Sequence, residues 1–162
     1  MQNDNGKKQI KQFPNQVVAV NEFRKFIESY FEMNSLSEVN RMLIEMLSAS
    51  TGPDPRSGKH TPINIANALY DVNNIINLVT HTKPLANEKA FQHYAKNISY
   101  ELQAVGNFDI AHLSEWLYFG LNAYIFQDED FEGISLAFAN EIISAYKKLY
   151  DWFNDAHEWI NS

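Results

Sequence analysis

Asp109, His112 and Glu115 recur at i, i+3 and i+6, a spacing that brings a carboxylate, an imidazole and a second carboxylate toward one side of a helix. Such a set is a two- or three-ligand start for a divalent metal. His93, Glu101 or Glu141 would have to complete it. The chain has no Glu-x-x-His pair of the kind that builds di-iron bundles. An exposed helix start with Asp109 as its N-cap accounts for the same three residues without a metal.

A second group lies in the segment Thr51-Gly52-Pro53-Asp54-Pro55-Arg56-Ser57-Gly58-Lys59-His60-Thr61, the one long Gly/Pro-rich connection in the chain. Arg56, Lys59 and His60 there precede a helix N-terminus, where backbone N–H groups and the helix dipole favour anions. The segment is no phosphate loop. Five residues separate Gly52 from Gly58 where the nucleotide motif has four, and Lys59 is followed by His60 instead of Ser or Thr. The set Arg56, Lys59 and His60 is therefore an anion-binding candidate of a simpler kind. A third near-match, Asp128-Glu129-Asp130-Phe131-Glu132-Gly133, follows the first half of a calcium loop, but its twelfth position is Ala139 where a bidentate glutamate is needed. Acidic residues before a helix also complement its positive end. Cysteine is absent, and no serine stands in a Gly-x-Ser-x-Gly elbow. No catalytic residue and no cofactor is expected.

The elements that would carry these residues are helices. Val20, Phe23, Phe26, Ile27, Tyr30 and Phe31 make the stripe of a helix over 16–34, and the capping box Ser35-Leu36-Ser37-Glu38 starts a second directly after it. Thr61 as N-cap with Pro62 at the first position opens a third, which is expected to end near His81 before Lys83-Pro84-Leu85. A fourth is expected from Asn87 to Gly106, a fifth from Asp109 to about 127 and a sixth from about 131 to Ile160. No strand pair stands out. The prediction is an all-α, single-domain antiparallel bundle of about six helices over 15–162, after a flexible polar tail over 1–14.

Charge and composition narrow the function. Thirteen basic against 20 acidic residues leave a net charge of -7, which disfavours broad binding to nucleic acid or anionic lipid. Residues 1–25 do carry a local charge of +3, but the second helix offers only Asn40 and Arg41 for base contacts. No apolar run has the length of a membrane span, and no signal-peptide core follows the first lysines. A soluble cytoplasmic protein is expected, with an asparagine content, 18 residues, common in AT-rich bacterial coding sequences.

Aromatic surplus carries the remaining inference. The fifth helix has Trp116, Leu117, Tyr118, Phe119, Leu121, Tyr124, Ile125 and Phe126 nearly all round it, which suits either a central helix or a subunit interface. Trp152, Phe153 and Trp159 add aromatic area to the last helix. The expected function is non-enzymatic association, as a homo-oligomer or as an accessory to another protein. Trp116, Phe119, Tyr124, Trp152, Phe153 and Trp159 are the interface candidates. The competing expectation is a small-ligand, anion or divalent-metal-binding bundle, with or without enzymatic activity, that uses the polar sets above.

Overall fold

The computed structural model describes residues 5–52, 54–126 and 134–162, with side chains from Val18 onward except at positions 94 and 96. Among the described residues the chain is all-α: α1 Asn5–Met33, α2 Leu36–Thr51, α3 Pro62–Ala86, α4 Lys89–Tyr94, α5 Tyr100–Gln103, α6 Ile110–Ile125 and α7 Leu136–Ile160. Single 3-10 turns, Ala95–Asn97 and Ala104–Asn107, follow α4 and α5. No helix among these residues is long and apolar enough to cross a membrane.

Helix starts follow local chemistry. The Glu38 N–H donates to Ser35 Oγ at 3.2 Å, and the serine hydroxyl bonds back to the Glu38 carboxylate at 2.9 Å. Thr61 accepts from the Asn64 N–H, with Pro62 in the first turn. Asp109 accepts from the N–H groups of Ala111 and His112. Each cap offsets helix N–H groups that would otherwise lack partners.

Four boundaries differ from the expectation. Helix α1 begins at Asn5, so the backbone of much of the segment 1–14 is helical. Helix α3 runs through Pro84 to Ala86 instead of ending near His81. Proline removes the bond to the carbonyl four residues earlier and crowds that carbonyl, but Thr80 is exposed to water there, while Ala86 is buried in the core. The single helix expected over 87–106 is broken. Asn87 ends α3 instead of starting α4, and Ser99 caps a new helix by accepting from the Leu102 N–H at 3.1 Å. Gln103 holds the break by donating from its side-chain amide to the Ala95 and Ile98 carbonyls. Helix α7 starts at Leu136, where Ser135 accepts from the Phe138 N–H. The calcium-loop segment 128–133 lies outside the described residues.

All seven helices contribute to one continuous core. Helix α6 is central: α2, α3 and α7 all pack on it. Helices α3 and α6 run antiparallel, since Tyr118 donates to Asn73 Oδ1 at 2.6 Å near their middles and Lys83 Nζ donates to the Phe108 carbonyl at 2.5 Å near one end. Gly120 permits the closest crossing, for a Cβ there would overlap the hydroxyl of Tyr146 on α7 and crowd Met46 and Ser50 on α2.

Candidate functional site

Most of the aromatic surplus is used within the chain. Trp152 and Phe153 are completely buried, and the Trp152 indole N–H donates to the Leu102 carbonyl at 3.0 Å. Phe153 packs edge-on against Trp152 and tilted against Tyr30. Tyr124 is buried with its ring stacked on His60, centroids 3.6 Å apart. Trp152 and Phe153 therefore present no area to a partner, which corrects their assignment as interface candidates, and Tyr124 presents little. Their cover comes from α1, α5 and the loop before α3, elements far away in sequence. Trp159 is half-buried over Phe23, and the Arg24 guanidinium lies 5.3 Å from its ring while donating to the Ile160 carbonyl. Phe119 meets Phe138 edge-on at 5.3 Å. Trp116 is half-buried and opens onto a groove.

Two members of the anion set Arg56, Lys59 and His60 are engaged within the chain, while Lys59 is exposed. Asp54 is only 5% exposed and accepts from Arg56 three times, from the backbone N–H at 2.9 Å, from Nε at 3.1 Å and from Nη2 at 2.9 Å. Glu45 approaches the same guanidinium at 3.6 Å. The side-chain bond from Arg56 is the main reason that the Asp54 carboxyl is lowered from 3.8 to about 2. Two carboxylates already face this guanidinium, which weakens its pull on an anion. His60 is turned onto Tyr124. Gly58, with φ 73°, supplies the left-handed residue that the turn needs.

The site that remains is a groove of about 770 Å³ between α6 and α7. Its floor is Leu113, Ala145 and Leu149, and its walls are Phe108, Trp116 and Phe138. One rim carries Asp109, His112 and Glu115, and the other carries Asn140, Glu141, Ser144 and Lys148. The spacing on each helix explains this arrangement: 112, 113 and 116 share one face of α6, while 141, 144, 145 and 148 share one face of α7. Direct packing between the two helices is slight, so a trough stays open.

Asp109, His112 and Glu115 thus stand together at the groove, with Glu141 across from them, whereas His93 and Glu101 on α4 and α5 do not line it. They make no metal centre, for among the described residues no three His, Asp or Glu side chains could hold one ion. The Asp109 carboxylate is committed elsewhere. One oxygen accepts from the Ala111 and His112 N–H groups at 3.0 and 3.2 Å, and the other lies 3.2 Å from His112 Nδ1. The His112 N–H, reinforced by its imidazole, holds that carboxyl below the usual range. The imidazole stacks on Trp116 at 5.6 Å.

Sequence reasoning did not find the opposite wall. Phe138, Asn140 and Lys148 carry no motif, Ser144 stands only in the bare spacing Ser144-Ala145-Tyr146-Lys147, and the periodicity of α7 alone indicates that they share a face with Glu141. Neither a family model nor a curated protein nor a solved structure matches the chain.

Proposed function

We propose that the protein acts by association, seating an apolar, cation-bearing segment of a partner protein in the groove between α6 and α7. The single observation that carries this is the union of aromatic walls with an acidic rim. Phe108, Trp116 and Phe138 offer apolar area, and Asp109, Glu115 and Glu141 outnumber Lys148. Glu115, Glu141 and Lys148 have no ion-pair partner among the described residues. A groove of about 770 Å³ with apolar walls and a few polar groups at its rim suits anchoring side chains of a partner. Opposite charge on the partner adds rate and register more than raw affinity.

The test is selection from a random peptide library displayed on phage, followed by titration of the enriched peptides. Enriched sequences are expected to combine Lys or Arg with Leu, Phe or Trp. Binding should weaken at least about tenfold on Trp116→Ala, and similarly on Glu141→Lys, with the helical circular dichroism unchanged. Absence of enrichment, or peptides indifferent to both changes, overturns the proposal. Sedimentation of the chain alone separates a second occupant: a dimer abolished by Trp116→Ala would place another copy of this chain in the groove and overturn the partner assignment.

A further inference from the structure

The groove between α6 and α7 is long, narrow and electrically uneven. Its two helices run antiparallel: Phe119 late in α6 meets Phe138 early in α7 with ring centroids 5.3 Å apart, while the Trp152 indole N–H donates to the Leu102 carbonyl, which precedes α6 in the chain. Phe138 and Glu141 therefore lie toward Trp116, and Lys148 and Leu149 toward Phe108 and Asp109. From Phe138 to Leu149 the α7 wall covers about 16 Å at the helical rise, the length of about three turns.

Main-chain chemistry limits what can lie there. Both walls are α-helices whose N–H and C=O groups bond along their own axes, so the groove offers no sheet edge to an incoming strand. An extended segment would press unpaired backbone groups against Phe108, Trp116 and Phe138. A helical segment satisfies those groups internally. The space, about 770 Å³ over that length, is too narrow for a whole helix about 10 Å across but takes one stripe of its side chains.

Charge then gives the occupant a direction. Toward Phe138, Glu115 and Glu141 face the groove from opposite helices, and neither has an ion-pair partner among the described residues. Toward Phe108, Asp109 accepts from the Ala111 and His112 N–H groups and lies in the field of Lys83, whereas Lys148 has no such partner. One end of the groove is thus negative and the other carries an uncompensated ammonium. A helix bears partial positive charge at its N-terminus and partial negative charge at its C-terminus.

Resting on the association proposed above, we infer that the partner segment is an amphipathic α-helix of about three turns, docked with its N-terminus at Glu115 and Glu141 and its C-terminus at Lys148. It lies parallel to α7 and antiparallel to α6. Its apolar stripe meets Phe138, Trp116 and Phe108 in that order, and a Lys or Arg in its first half meets Glu115 or Glu141.

Two capped peptides of about 14 residues and identical Leu and Lys content are the probes, one with Leu at the helical period and one with Leu and Lys alternating. Fluorescence anisotropy is expected to show the helical-period peptide binding at least about tenfold more tightly, an advantage that Trp116→Ala removes. Should Trp116→Ala fail to fold, Glu141→Lys at an exposed position is expected to weaken binding several-fold. A nitroxide on the first residue of that peptide should broaden the Phe138 and Glu141 amide signals most in NMR, and one on its last residue those of Asn107 and Lys148. Lys148→Glu should even out the two patterns. Equal affinities of the two peptides overturn the helical form and leave the association reading standing, whereas binding by neither overturns both. Reversed or undifferentiated broadening overturns the direction, and affinity indifferent to Trp116→Ala and Glu141→Lys places the helix outside the groove and overturns the inference.

Discussion

At the scale of single residues, the pair Asp54–Arg56 shows how one buried carboxylate can govern a loop. Asp54 organises the turn by accepting from the Arg56 N–H with its side chain and from the Ser57 N–H with its carbonyl. Its carboxyl is held at about 2, below its ordinary 3.8. A lowered carboxylate value stabilises the fold at every pH above the ordinary value, and that contribution is lost as pH falls from about 4 to about 2. Asp54→Asn should therefore cost about 1 kcal/mol at neutral pH, a magnitude reduced by solvent because the Arg56 side chain is 54% exposed. Urea unfolding at pH 7 and near pH 2 checks this, with the gap between variant and parent narrowing in acid. The same pairing explains why Arg56 is a structural cation although its sequence neighbourhood advertises an anion site.

Helices show a different balance between local signal and tertiary demand. Capping at Ser35, Thr61 and Asp109 was legible, because an oxygen placed before a helix satisfies N–H groups only one turn away. Proline at 84 and the break near Ser99 were not. Their outcome depends on what the helix ends bury: Ala86 and Leu102 lie in the core and Thr80 faces solvent. Pro84→Ala should stabilise the chain by about 1 kcal/mol, since the restored backbone bond outweighs the greater freedom of the unfolded chain. A melting temperature raised by a few degrees would bear this out, and an unchanged or lowered one would count against a regular helix through 84. At the α6 crossing the expectation is reversed. Gly120→Ala places a methyl group on the Tyr146 hydroxyl, and should destabilise by about 1 to 3 kcal/mol in chemical unfolding. Its partial rescue by Tyr146→Phe, which removes the clashing oxygen, would identify that contact as the cause.

For the whole molecule, a net charge of -7 and an acidic groove rim act together on the proposed association. Electrostatic steering of a cationic partner is screened over a distance of about 8 Å at physiological ionic strength. Raising salt from about 50 to 500 mM should slow association of the selected peptides several-fold and change dissociation little, because the apolar contacts at Trp116 and Phe138 resist salt. Stopped-flow kinetics separates the two rates. A dissociation rate that carries the whole salt effect would shift the weight from the acidic rim to buried ion pairs.

By itself the sequence determined the helical class, the starts of α2, α3 and α6, and much of the face that each helix buries, because hydrogen bonding and apolar periodicity act over one or two turns. It also placed Asp109, His112, Glu115 and Trp116 near one another on α6. Only the tertiary structure decided which aromatics were consumed in the core, that Arg56 was already answered by Asp54 and Glu45, and that α7 completes a groove opposite α6. Burial and charge compensation depend on neighbours from distant parts of the chain, and a residue's own type and spacing carry no record of which neighbours those are.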